Sequence, residues 1–311
     1  MKYTKEQVLK YAKENGFISS NLEKVMRLLD VLDYLFSQSS FKDKLILKGG
    51  TAINLAFTNL KRLSVDIDLD YVGSLDKNKA LEDRALLEKE LDNFMIREDY
   101  AISPKSRGSF ALFSRIYKYQ NTYGNNDTIK VDINFMDRTH LYAIVLSEVT
   151  YFDKTVVLRT PAIEELFGMK INALIDRSKP RDLYDSLFIV ENINRFDVDM
   201  LRKSVVFYLS LNNTFKIDNS SFERIKTISQ QSIKTELQPV LKKSVKFDLK
   251  EAQEKVIDCL SNLLSLDRKE SLYLEEFSKG NYDPSLLFDD SVVIRAEKHP
   301  MAKWRALNII K

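Results

Sequence analysis

Val65-Asp66-Ile67-Asp68-Leu69-Asp70-Tyr71-Val72 is the stretch that decides the fold. Apolar and acidic residues alternate along it: Val65, Ile67, Leu69 and Tyr71 fall on one face, and Ser64, Asp66, Asp68 and Asp70 on the other. A period of two marks a strand with one face in a core. Carboxylates two residues apart on a strand lie about 7 Å from each other. Like charges on one face are destabilising unless something positive sits among them. A divalent cation meets that need, because hard cations prefer carboxylate oxygens. Two such ions can clamp the attacking and leaving oxygens of a phosphoryl transfer. The alternative is an acidic strand face left in water. An EF-hand loop does not fit, because Ile67 and Leu69 are poor loop residues and neither the glycine nor the terminal glutamate stands in register.

Working outward, Leu45-Ile46-Leu47 reads as a short buried strand ending at Lys48-Gly49-Gly50-Thr51, and Thr51 opens a short helix, Ala52 to Phe57. Two glycines at a strand-to-helix turn let backbone N–H groups approach a phosphate, and a helix start favours negative charge. Downstream, Phe110–Tyr119 and Thr128–Phe135 alternate as strands around an Asn125-Asn126-Asp127 turn. The second strand puts Val131, Ile133 and Phe135 inward, and Lys130, Asp132 and Asn134 on the other face. A glycine turn, a D-x-D strand and a later strand bearing one acid together read as a phosphate cradle beside a three-carboxylate metal site of Asp66, Asp68 and Asp132.

The flanking chain is mostly helical. Residues 4–38 carry a spacing of three and four through Val25, Leu28, Leu29, Leu32, Leu35 and Phe36, with Ser20 or Asn21 as cap. Asn78–Arg97 reads as a charged helix, and a further strand is expected around Val156-Val157-Leu158. Pro161 marks a change of style, and from there helices are expected at 162–175, 181–192, 199–211, 222–232, 249–266 and 301–310. Two domains are therefore expected, an α/β half over 1–160 and an all-α half over 161–311.

At 311 residues, the chain is long enough for two domains at roughly 100–200 residues each. It is 44% hydrophobic, which excludes a disordered chain, and its net charge of +3 neither demands nor forbids a nucleic-acid partner. A single cysteine, Cys259, excludes a disulfide framework and fits a reducing cytoplasm; it reads as a small core residue. The N-terminus has no apolar signal-peptide core, and no window is apolar enough to span a bilayer, so a cytoplasmic protein with no membrane partner is expected.

The segments LKGGTAINLAF, RLSVDIDLD, KVDINF, KINALIDRSKPRDLYDSLFI and HPMAKW, in this order across residues 47–304, resemble the polymerase β-like nucleotidyltransferases. Within them the chain most resembles the AbiEii/AbiGii toxins of type IV toxin–antitoxin systems. The resemblance implies an α/β (α+β) nucleotidyltransferase fold with a mixed sheet, followed by a helical domain. It implies an NTP substrate, Mg²⁺ and a cognate antitoxin. Asp66 and Asp68 match the family's metal-binding acids, Ser64 the serine before them, and Asp132 the third acid of the superfamily, as ligand or general base. Gly50-Thr51 stands where the superfamily has Gly-Ser. Lys170 matches the basic residue at the NTP phosphates, and Arg181, Asp182 and Asp185 match an R-D-x-x-D helix.

Read physically, Lys170 lies off the apolar stripe Leu166, Phe167, Ile171 and Leu174 and is otherwise a solvated lysine. Asp182 and Asp185, three apart, share a helix face, where they can favour the helix dipole, orient Lys170 or accept a proton. His140 and His299 match no ligand spacing and read as structural, Met301, Trp304 and Leu307 as a packed terminal helix, and Lys242, Lys243 and Lys246 as a solvated face. The expected reaction holds a triphosphate at Gly49, Gly50 and Thr51 with Lys170 and Arg181, while an acceptor hydroxyl attacks the α-phosphate. By resemblance the acceptor is RNA, the tRNA 3′ end first, and translation is blocked. The rivals are nucleotidylation of a protein or small molecule, and a non-catalytic GTP- or partner-binding module.

Overall fold

The computed structural model describes residues 2–109, 111–212 and 222–309. The chain divides into two compact units: Met1–Arg138, Ile144–Thr160 and Pro239–Val245 form one, and Thr139–Ala143, Pro161–Gln238 and Lys246–Lys311 the other. Phe110 and Ile310, expected at the ends of a strand and a helix, lie outside the described residues.

The first unit begins with helices α1 (Lys5–Asn15) and α2 (Ser19–Asp33), broken at Gly16, whose φ of 74° is the left-handed conformation that ends helices. The cap of α2 is Ile18, so Ser20 and Asn21 sit inside its first turn. Its apolar stripe, including Leu22, Val25, Leu28, Leu29 and Leu32, is fully buried. Then follow β1 (Leu45–Lys48), a short helix α3 (Gly49–Ala52) that continues as a wide turn to Phe57, β2 (Asp66–Tyr71) and α4 (Lys77–Arg97). Two short strands, β3 (Ala101–Ile102) and β4 (Arg107–Gly108), precede the long pair β5 (Leu112–Gln120) and β6 (Asn126–Asn134). The turn between β5 and β6 is Asn121–Asn125; Asn126 and Asp127 are already paired.

The sheet is mixed, as expected. Its order is β1-β2-β6-β5-β3, with β4 also on β5; β2 and β6 run parallel and the other neighbours antiparallel. The alternation read from the sequence is realised: Ile67, Leu69 and Tyr71 of β2 and Ile129, Val131 and Ile133 of β6 are all fully buried. At about 25 cal/mol per Å² of apolar surface, these side chains fix the register, since a slip by one residue would turn the acids into the core. A separate hairpin, β7 (Val145–Tyr151) and β8 (Lys154–Thr160), completes the unit; β7 has no counterpart in the sequence reading.

The second unit contains α5 (Ile163–Arg177), α6 (Pro180–Glu191), α7 (Val198–Ser210), α8 (Leu249–Leu263), α9 (Arg268–Ser278), α10 (Asp290–Glu297) and α11 (Pro300–Asn308). Pro180 opens α6, whereas Pro161 lies before the cap of α5, Ala162. In place of one helix over 222–232 there are short turns at Arg224–Thr227 and Gln230–Ser232. Helix α5 crosses α7 closely at Gly168, where a Cβ would stand 2.6 Å from that of Ser204. Glu165, fully buried, accepts from Leu141 N, Tyr142 N and the Tyr208 hydroxyl and bonds His140 Nδ1, which anchors residues 139–143 in this unit. Burial pushes its carboxyl up, but His140 and these donors outweigh it and hold the group below its ordinary range.

Both histidines are structural in the sense expected: His140 serves Glu165, and buried His299 caps α11 by accepting from Ala302 N. Two expectations are corrected. On α11 the buried residues are Ala302 and Ala306, while Trp304 and Leu307 face solvent at 49% and 74% exposure. Cys259 is only half-buried and lines a cleft of about 490 Å³ between α6 and α8.

Candidate active site

The sheet register assembles one row of side chains. Lys48 of β1 stands opposite Asp68 of β2, Asp68 opposite Asp132 of β6, and Asp132 opposite Ser114 of β5. One step along, Asp66 stands opposite Lys130. Side chains at paired positions of neighbouring strands share a face. Asp66, Asp68, Lys130 and Asp132 therefore form a four-cornered patch on the face away from Ile67 and Val131.

The glycine turn lies against this patch. Gly49 has φ 69°, and a Cβ there would stand 2.7 Å from Asp68 Oδ2. A Cβ on Gly50 would stand 2.7 Å from Arg62 Nη2 and 2.9 Å from Ser64 Oγ. The buried Thr51 hydroxyl donates to the Asp66 carbonyl at 2.5 Å and so ties the start of α3 to the start of β2. That hydroxyl is spent on the protein, so what the turn offers an anion is backbone N–H groups. Gly49→Ala is expected to cost about 1–2 kcal/mol for its left-handed backbone and to push Asp68 out of place. The check is thermal unfolding together with turnover, which should fall about tenfold or more on the effective-geometry argument.

The three strand acids of residues 66–70 have different fates. Asp70, on the same face as expected, is fully buried and paired with Lys48 Nζ at 2.5 Å. Lys48 also approaches Asp137 at 3.8 Å, and these acids raise its affinity for the proton against the opposing effect of burial. Asp66 and Asp68 keep partial exposure, and neither carboxylate accepts a hydrogen bond or an ion pair from a described residue. Burial pushes the Asp68 carboxyl up, and the charges of Asp66 and Asp132 push it further, with Lys48 and Lys130 opposing.

Asp132 is engaged on both oxygens: Ser114 Oγ donates to Oδ1 at 2.6 Å, and Lys130 Nζ to Oδ2 at 2.5 Å. Among the described residues, no group of three or more Asp, Glu, His or Cys side chains is arranged to hold a metal. A divalent cation still fits the donors present. Asp66 and Asp68 offer hard oxygens with no protein partner among the described residues, and a cation would favour the ionised form of Asp68 that burial disfavours. Lys130, Ser114 and Arg62 were not singled out from sequence. Lys130 was legible on the Asp132 face, but which acid it meets depends on the register.

In the second unit Lys170 is buried at 6% exposure, not solvated. Its Nζ pairs with Asp182 Oδ1 at 2.9 Å and Asp185 Oδ2 at 3.1 Å. Arg177 binds Asp182 through Nε at 2.7 Å and Nη2 at 3.1 Å. Burial pushes the Asp182 carboxyl up, but Lys170 and Arg177 more than offset it and hold it below its ordinary range. Arg181, beside them, donates from Nε to the Glu236 carbonyl at 2.9 Å. The i, i+3 placement of Asp182 and Asp185 thus does orient Lys170.

The fold is that of a nucleotidyltransferase. It superposes on MenT4, a nucleotidyltransferase toxin of Mycobacterium tuberculosis H37Rv, with a TM-score of 0.65 at 16% identity, over 88% of this chain and 93% of that one. Residues 30–269 match the family described as nucleotidyl transferase AbiEii toxin, type IV TA system, and the chain belongs to that family. It is a nucleotidyltransferase toxin, acting on an NTP and paired with an antitoxin. No curated protein sequence matches it. No helix among the described residues is long and apolar enough to cross a membrane.

Proposed function

We propose that the chain transfers a nucleoside monophosphate from an NTP to an RNA hydroxyl, the tRNA 3′ end first, in a Mg²⁺-dependent reaction inside the cytoplasm. The observation that carries the proposal is the apposition of the Gly49–Thr51 turn to Asp66 and Asp68, two carboxylates without protein partners. Backbone N–H groups of Gly49, Gly50 and Thr51 hold phosphate oxygens, and Ser64, packed under Gly50, supports the turn. Asp66 and Asp68 hold the metal, with Asp132 as the third carboxylate. Bound Mg²⁺ supplies the charge that polarises the α-phosphate and offsets the charge on departing pyrophosphate. The acceptor oxygen bonds to the α-phosphorus as the bond to the bridging oxygen breaks, and the hydroxyl proton passes to solvent or to Asp132. In the second unit, Lys170 has two of its three donors committed to Asp182 and Asp185.

The RNA acceptor rests on the toxin family: a capped tRNA 3′ end cannot be aminoacylated, which stops translation. The test incubates the protein with each labelled NTP, Mg²⁺ and total RNA. Label is expected in the tRNA band and absent with EDTA. Label appearing on protein or on a small molecule would sink the RNA reading and favour the rivals. NTP binding without pyrophosphate release would favour a non-catalytic module.

A further inference from the structure

The contact between Lys130 and Asp132 has no part in the reaction as proposed, yet it sits in the middle of the patch. Lys130 Nζ lies 2.5 Å from Asp132 Oδ2, and its backbone is paired with Asp66. Its side chain is 43% exposed, so it reaches the acids from the solvent side and can swing away. Asp132 keeps its orientation by a second route, the Ser114 hydroxyl at 2.6 Å on the other oxygen. The four corners carry three negative charges and one positive. Lys48, the other lysine in the row, is already bound to Asp70. Among the described residues, Lys130 is therefore the cation in direct contact with an acid of the patch, while Lys48 acts on Asp68 only through its charge.

We infer that Lys130 is a built-in counter-ion: its ammonium holds Oδ2 of the third carboxylate and must be displaced for a divalent ion to take all three acids. The inference rests on the metal site proposed above. The direction of its effect is unusual. A residue that merely supports a metal site weakens binding when removed, but a displaced counter-ion competes with the metal, so its removal tightens binding. A ligand whose bound form is held back by a competing state gains the affinity that the competition withheld. The competition has a second consequence. An ammonium is monovalent, so a dication has the advantage over a monocation in replacing it, and the patch discriminates against Na⁺ and K⁺.

The experiment measures Mn²⁺ affinity by electron paramagnetic resonance on the full chain, without nucleotide, for wild type, Lys130→Gln, Lys130→Arg and Asp68→Asn. Lys130→Gln is expected to bind Mn²⁺ about tenfold more tightly, within the range of ordinary coupling between sites. Lys130→Arg keeps the charge and is expected to stay near wild type. Asp68→Asn is expected to lose binding. Unchanged or weaker binding by Lys130→Gln, with Asp68→Asn still deficient, overturns the counter-ion and leaves the metal site standing. Wild-type binding by Asp68→Asn overturns the metal site itself. Lys130 is half in solvent, so neither Lys130 variant endangers the fold, and circular dichroism confirms that each is folded.

Discussion

Asp68→Asn is expected to lower nucleotide transfer about a thousandfold or more, while the metal-free protein unfolds at the same temperature as wild type or higher. The loss corresponds to about 4 kcal/mol of transition-state stabilisation, the scale of removing a metal ligand's contribution. The gain in stability has a separate cause. Asp68 sits in a poorly solvated place beside Asp66 and Asp132 and accepts no hydrogen bond or ion pair from a described residue, so burial and those charges disfavour its ionised form. Asparagine fills the same volume without that charge. Divalent ions should then raise the unfolding temperature of wild type and not of the variant. If Asp68→Asn retained most of its transfer activity, or if it unfolded well below wild type without metal, the patch would be structural and not a site of chemistry.

Lys170→Met is expected to destabilise the protein by about 3–5 kcal/mol, because breaking a buried ion pair leaves an uncompensated charge. Asp182 and Asp185 are 1% and 2% exposed and would both lose the Lys170 ammonium, while Arg177 reaches Asp182 from a largely exposed position. Adding Asp185→Asn to Lys170→Met should recover part of the loss, since one buried charge is then gone. The same group gives a pH dependence whose sign is fixed. The Asp182 carboxyl is held below its ordinary 3.8. Its contribution to stability is thus fully present above that value and is lost as pH falls through the lower, folded value. Lys170→Met, which removes the chief cause of that lowering, should accordingly lose less stability than wild type as pH falls, so the gap between the two narrows in acid. Denaturant melts at pH 7 and pH 4 read both effects, and a Lys170→Met midpoint equal to wild type would contradict them.

The strand acids, the glycine turn and the α5 stripe were legible because each is a local pattern with a physical period. The alternation in β2 and β6 needed only the identity of successive residues, and it placed Asp66, Asp68 and Asp132 correctly on outward faces. What depends on register was not legible. That Lys130 faces Asp66, or that Asp70 is consumed by Lys48, follows from how three strands align, which no single strand encodes. Strand β7 was missed because none of its residues is fully buried and Leu146 is 62% exposed, so its apolar signal is weak. Helix α9 was missed although Asp267 and Glu270 form a capping box at its start, because its stripe follows closely on that of α8 and reads as a continuation. In the second unit the burial of Lys170 was invisible, since a lysine off the apolar stripe looks solvated until its two acids are placed.

Pro239–Val245 belongs to the first unit, and there Leu63 N bonds the Val240 carbonyl at 2.8 Å while Arg62 bridges to Leu241. Arg62 and Ser64 are the side chains on which Gly50 rests. A growing chain therefore cannot finish the bed beneath the Gly49–Thr51 turn until residue 241 of 311 has left the ribosome. This delays completion of the turn until synthesis is nearly complete, and a chain broken off earlier lacks the last backbone partners of residues 62 and 63.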